Sequence, residues 1–193
     1  MDTVFKTAEI IKHPKSMIPK NRFGHCMIAV DELVIIYGGK TFEDSVLDEL
    51  WMYDSVRQKW RLFCLPQLLK STCFNSSICA HGSKIYIFGG TNLPGSEYIQ
   101  TTLFSFDVRS FKWRNLFSHL NNSENRPRQI EMTNILYHND SIYILGVVDV
   151  RYRNLVGAMY KFCLKTFKWS VIPYKGDVPH PNCKGHCTVF QNK

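Results

Sequence analysis

One unit recurs along the chain, and it leaves few folds open. It is an apolar run closed by glycine, then a short aromatic strand ending in an acid, then a tryptophan a few residues on. The first copy reads Leu33-Val34-Ile35-Ile36-Tyr37-Gly38-Gly39, then Glu49-Leu50-Trp51-Met52-Tyr53-Asp54, then Lys59-Trp60. The second reads Lys84-Ile85-Tyr86-Ile87-Phe88-Gly89-Gly90, then Thr102-Leu103-Phe104-Ser105-Phe106-Asp107, then Lys112-Trp113. The third is degenerate: Ser141 to Gly146-Val147, then Ala158-Met159-Tyr160-Lys161-Phe162, then Phe167-Lys168-Trp169, without the second glycine and without the acid. Gly38, Gly89 and Gly146, and likewise Trp60, Trp113 and Trp169, recur with a period of about fifty residues, as in repeat architectures built from one supersecondary unit. Each copy is led in by a further strand-like stretch, at 22–30, 75–80 and 133–137, and a fourth lead-in occupies 185–190.

The apolar runs are about five residues long and show no 3.6-residue period, which favours strands over helices and excludes a membrane span, for which about twenty are needed. Such runs suit the inner strands of a four-stranded antiparallel blade buried on both faces. The glycine pairs end those strands where a Cβ would crowd the neighbouring blade and where positive φ is required. Tyr53 with Trp60, and Phe106 with Trp113, place two large rings on adjacent strands, with Tyr160 and Trp169 as the third pair, to fill the wedge between blades. The segments 54–59 and 107–112 then form polar hairpins.

These motifs resemble the kelch repeat over residues 17–190. The resemblance implies an all-β, kelch-type β-propeller, here incomplete: three four-stranded blades at 19–66, 67–120 and 121–175, with partial blade pieces at 1–18 and 176–193. Closed propellers use four to eight blades, so the expectation is a fragment, a truncated isoform or an oligomer that completes the ring. Kelch propellers bind peptides at the mouth of the ring, near the residues ahead of each lead-in strand. Carried over to this chain, those positions are Arg22, Ser71, Asn75, Arg126, Arg128 and Lys184, where an arginine could hold a carboxylate through two parallel bonds.

The stretches 49–53 and 88–97 are similar to kelch-domain-containing substrate receptors of cullin-RING ubiquitin ligases. That likeness implies capture of protein C-terminal ends at the propeller mouth, with elongin and cullin as partners. The alternative is an actin-binding or scaffold kelch protein with no link to degradation.

Composition narrows the rest. Of 193 residues, 45% are hydrophobic and 21% charged, which describes a folding domain and not a disordered chain. Residues 1–15 carry five charges and no apolar core of a signal peptide, so a cytoplasmic or nuclear protein with reduced cysteines is expected and the sequons at Asn75, Asn121 and Asn139 should stay unmodified. The net charge of +8 is concentrated in residues 151–193, in an interspersed pattern that reads as a solvated basic face. Neither membrane nor nucleic acid is expected as a partner.

The cluster His180, Cys183, His186 and Cys187 has zinc-ligand chemistry. Yet Gly185-His186-Cys187 repeats Gly24-His25-Cys26, so a structural role is expected, with no metal and no cofactor. His81 and His138 read as turn residues. No nucleophile elbow, phosphate loop or zinc-protease motif is present, and the expected role is non-enzymatic.

Overall fold

The computed structural model describes residues 4–7, 18–90, 102–117, 125–127, 130–149 and 155–173. Thirteen strands are assigned among them. They are β1 (Val4–Thr7), β2 (Cys26–Val30), β3 (Leu33–Tyr37), β4 (Leu50–Asp54), β5 (Lys59–Phe63), β6 (Ser77–His81), β7 (Lys84–Phe88), β8 (Leu103–Asp107), β9 (Lys112–Asn115), β10 (Glu131–His138), β11 (Ser141–Asp149), β12 (Leu155–Cys163) and β13 (Trp169–Ile172). Three antiparallel meanders result. β2-β3-β4-β5 form the first blade, β6-β7-β8-β9 the second and β10-β11-β12-β13 the third. β1 adds a fifth strand to the outer edge of the second blade, against β9. The first strands β2, β6 and β10 lie side by side in that order, and a Ser77 hydroxyl bond to the Thr133 carbonyl joins β6 to β10. This is the arrangement of three blades of a β-propeller. No helix among the described residues is long and apolar enough to cross a membrane.

Strand alternation explains how each blade is buried twice. Ile85 and Ile87 of β7 enter the core shared with the first blade, and Tyr86 and Phe88 on the opposite face enter the core shared with the third. All four are buried, as a continuous apolar strand between two layers requires. The first core joins Ile35, Tyr37 and Met52 to Phe104, Phe106 and Trp113. Its rings meet at short range, with Phe106 to Trp113 at 4.6 Å and Phe63 to Phe106 at 5.5 Å, contacts worth about 0.5–1.5 kcal/mol each beyond area burial.

The hairpins repeat with the same chemistry. Asp54 accepts from the Arg57 N–H at 2.8 Å, and Asp107 from the Arg109 and Ser110 N–H groups at 2.9 Å. Gln58, Phe111 and Phe167 adopt left-handed φ of 53–55° at matching places before each outer strand. In the third blade Cys163 stands where the acid stood, and its backbone N–H and carbonyl close the same turn. Hydrogen bonds from Thr166 and Lys165 lower its thiol pKa, so the sulfur partly imitates the missing carboxylate.

Three sequence expectations need correction. Tyr160 faces Val171; the partner of Trp169 is Phe162, and that ring fills the place of Tyr53 and Phe106. The seven-residue spacing to tryptophan is kept in all three blades; Tyr160 lies nine residues from Trp169. Gly146 ends no strand. With Val147 replacing the second glycine, β11 runs on to Asp149, paired throughout with β12. His81 and His138, read as turn residues, close strands β6 and β10 instead, and His81 stacks on Tyr137 at 3.7 Å. Cys26, Cys73 and Cys79 are pushed up to about 12 by burial, so at neutral pH they pack as protonated thiols.

The glycine pairs act unequally. All four residues have positive φ, between 66° and 98°. A Cβ on Gly38 would overlap the Cys73 carbonyl and one on Gly90 the Thr72 carbonyl, whereas one on Gly89 meets only the Thr133 hydroxyl at 3.6 Å. Crowding therefore belongs to Gly38 and Gly90, and in a milder form to Gly39, where a Cβ would stand 2.9 Å from the His25 Cβ and from the Phe23 carbonyl oxygen, and Gly89 is restricted by φ alone. Gly89→Ala should cost about 1–2 kcal/mol, and Gly38→Ala or Gly90→Ala a further ~1–3 kcal/mol, as read from urea midpoints. Equal losses at the three positions would show that φ alone selects glycine.

The hairpin carboxyls set an acid limit. The Arg57 N–H, followed by the guanidinium, lowers the pKa of Asp54. At Asp107, burial acts upward and is overcome by the Ser110 and Arg109 N–H bonds. A depressed folded pKa stabilises above the unfolded value of about 3.9 and is lost as pH falls through the folded value. Thermal melts should thus fall below about pH 4, and Asp107→Asn should flatten that fall.

Candidate functional site

Antiparallel pairing puts the starts of first and third strands and the ends of second and fourth strands at one end of every blade. The loops 18–25, 38–49 and 64–76 therefore share that end, the one at which the kelch resemblance leads a peptide site to be expected.

Arg22 is the best-anchored side chain there. Its Nε donates to the Lys20 carbonyl at 3.0 Å, one terminal nitrogen to the Gly38 carbonyl at 3.1 Å, and the other to Glu49 at 3.0 Å. The side chain is 4% exposed. Glu49 also accepts from the Trp51 indole N–H at 2.7 Å. Blade 2 has the fully buried Cys73 at the position of Arg22, so this is an inward-facing place in the repeat. The guanidinium is committed to clamping the first glycine turn to the β4 approach.

The other expected contacts are placed as follows. Asn75 stands where the first blade has Gly24; both are left-handed, at φ 55° and 63°, and the Asn75 N–H donates to the Gly24 carbonyl at 2.9 Å. Its side chain is exposed. The Ser71 hydroxyl donates to the Leu68 carbonyl at 3.2 Å, closing the 3-10 turn Gln67–Leu69. Arg126 lies over the Phe117 ring at 5.1 Å, partly exposed. Arg128, Lys184 and the His180, Cys183, His186, Cys187 cluster lie outside the described residues. Among the described residues no group of three or more His, Cys, Asp or Glu could hold a metal ion.

A cluster that motif reading missed lies at the same end. Phe23 stacks on Phe42 at 5.6 Å and meets Phe74 edge-on at 5.8 Å. Lys40 Nζ sits 5.2 Å from the Phe23 ring and 4.9 Å from Phe74, and pairs with Asp44 at 2.5 Å. Phe42 is 81% and Phe23 37% exposed. A lysine held by two rings and a carboxylate is fixed in direction, and it braces an apolar surface left open to solvent. The available signal was an aromatic in a glycine-led loop, Gly39-Lys40-Thr41-Phe42, where no strand needs one.

Beneath this end, the buried Tyr37 hydroxyl donates to the Leu69 carbonyl at 3.1 Å and lies 3.2 Å from the Thr72 hydroxyl. It ties the crossover between blades to the first core, and burial raises its pKa well above the usual range. The pKa of His25 is lowered by partial burial and by the charge of Arg22. The loop end is thus held from below and presents Phe23, Phe42 and Asn75 outward.

Glu49→Gln removes the charge that answers Arg22 and should cost about 1.5–3 kcal/mol in thermal or urea denaturation. A loss below about 0.5 kcal/mol would show that the pair behaves as a surface ion pair.

The comparisons with known proteins agree with this architecture. Host cell factor of Drosophila melanogaster is 24% identical over 107 residues, 55% of this chain and 7% of that protein. Human host cell factor 2 is 27% identical over 96 residues, 50% of this chain and 11% of its own. Kelch-like protein 40 of Xenopus tropicalis is 24% identical over 129 residues, 67% of this chain and 19% of its own. The matched stretches thus span less than a fifth of these relatives' lengths. None of these relatives bears on the narrower likeness of 49–53 and 88–97 to the tenth of the kelch-domain-containing receptors. The model of the KLHDC2/KLHL20/DRC7 Kelch-repeats domain matches residues 2–193. With three blades built on the glycine-pair and tryptophan repeat, and with that match over nearly its whole length, the chain belongs to this kelch-repeat family.

Proposed function

We propose that the chain is a non-enzymatic protein-interaction module that captures a segment of another protein at the loop end of its blades. The observation that carries this reading is the exposed Phe23 and Phe42 pair, braced by Lys40 on a rigid base. Buried aromatic anchors dominate binding energy in protein interfaces, and a kelch-type scaffold presents them. In the finer form of the proposal, the module is the substrate-recognition subunit of a cullin-RING ubiquitin ligase, in the cytoplasm or nucleus, and its ligands are protein C-terminal ends. Ser71, Asn75 and Arg126 would contact the peptide beside the rings, with Arg128 and Lys184 as further cations for the terminal carboxylate. Arg22 acts by positioning, since its donors already serve Lys20, Gly38 and Glu49. The similarity of 49–53 and 88–97 to the ligase receptors supports this finer form.

The test is purification of tagged chain from cells, with co-purifying proteins identified by mass spectrometry. Elongin and cullin together with short-lived proteins support the receptor reading; cytoskeletal or scaffold partners alone overturn it in favour of the actin-binding or scaffold alternative. Phe42→Ser should reduce capture of those proteins at least tenfold while leaving the melting temperature unchanged, because the ring is exposed. Unchanged capture would move the binding surface away from this end.

A further inference from the structure

The exposed ring pair at the loop end is bordered by carboxylates. Loops 18–25, 38–49 and 64–76 hold four cations and four acids, and most of them cancel. Arg22 pairs with Glu49 at 3.0 Å, Lys40 with Asp44 at 2.5 Å and Lys70 with Asp48 at 3.2 Å. What remains is Lys20 on the lead-in loop and Glu43, the immediate neighbour of Phe42; both are exposed, and Glu43 enters no ion pair among the described residues. The Asp44 side chain is 74% exposed, whereas that of its partner Lys40 is only 7% exposed. Solvent therefore meets carboxylates next to Phe42 while the balancing ammonium is buried, in a chain whose net charge is +8.

The chain itself contains an example of what such a surface holds. The Lys40 ammonium lies 5.2 Å from the Phe23 ring and 4.9 Å from Phe74 while bonding Asp44. An aromatic face attracts a cation through its quadrupole, and a carboxylate beside the ring fixes that cation by a charge-assisted hydrogen bond. Phe42 stacks on Phe23 at 5.6 Å and is 81% exposed. It offers the same combination outward, a ring with Glu43 and Asp44 next to it.

From this we infer that the protein segment captured at the loop end carries an arginine or lysine beside its apolar anchor, with the cation over Phe42 and its donors on Glu43 and Asp44. This selection rests on capture of the segment by the Phe23 and Phe42 rings and adds the charge that the rings select. Arginine fits better than lysine, because a guanidinium is planar, stacks on aromatic faces and donates to carboxylates through a rigid fork. A carboxylate in the same place would be repelled by Glu43 and Asp44, so the terminal carboxylate of a captured C-terminal end lies away from Phe42.

The test is fluorescence anisotropy of the full chain with short labelled peptides, capped at both ends and built of glycine and serine around a central leucine. The residue after the leucine is arginine, its neutral isostere citrulline, or glutamate. The arginine peptide should bind about fivefold more tightly than the citrulline peptide, the glutamate peptide should bind least, and added salt should shrink the difference. Glu43→Lys, at an exposed position, should remove the preference for arginine without changing the melting temperature. Equal binding of the arginine and citrulline peptides, with both weakened by Phe42→Ser, overturns the selection by charge and leaves capture by the rings standing. A preference for arginine that survives Glu43→Lys undiminished overturns it as well, since the cation would then lie elsewhere. No binding of any peptide, or binding that Phe42→Ser leaves unchanged, overturns capture by the rings and the selection with it.

Discussion

The structure rests on seating the front of one four-stranded sheet on the back of the next. A single antiparallel sheet has two faces, and here both are apolar in the middle blade, so that blade depends on a neighbour on each side. Each junction is closed by aromatic pairs on the third and fourth strands, Phe106 with Trp113 and Phe162 with Trp169. The rings are large because the gap between blades widens outward from the first strands, where Ser77 and Thr133 are close enough to bond directly. Small polar residues inside and large rings outside follow from one wedge geometry.

The joint between blades depends on a second constraint, close approach of backbone. The Gly39 N–H donates to the Cys73 carbonyl at 2.6 Å, and a side chain at Gly38 would occupy the same space. The crossover from first to second blade is thus pressed against the first glycine turn, while Tyr37 holds the 3-10 turn from below. The clamp of Arg22 on Gly38 and Glu49 secures the other side. This rigidity is what permits exposed rings at the loop end: Phe23 and Phe42 project from a turn whose backbone bonds and lysine brace are satisfied independently of any ligand.

The candidate site was less legible than the fold. Arg22 was singled out by its place before a lead-in strand, and the place proved to be an inward one, filled by Cys73 in the next blade. An arginine is identified by type in a sequence, but whether its donors face a ligand or a carbonyl is settled by residues 16 and 27 positions away. Lys40 was unremarkable in sequence because its aromatic neighbours Phe23 and Phe74 come from two other loops.

The chain's own order of residues determined the strands, the hairpins and the kelch repeat, because these are local. Alternation on a strand, an acid accepting N–H bonds three residues on, and a left-handed residue before the outer strand all act within a single hairpin, and they recur every fifty residues or so. Even the loss of the second glycine at Val147 has a local effect, the extension of β11. Only the tertiary structure decided that Gly38 and Gly90 are crowded while Gly89 is merely left-handed, and that Arg22 is a clamp. Each of these turns on which atoms from a distant segment arrive within a few ångströms, and sheet-on-sheet packing sets that distance after the strands have formed.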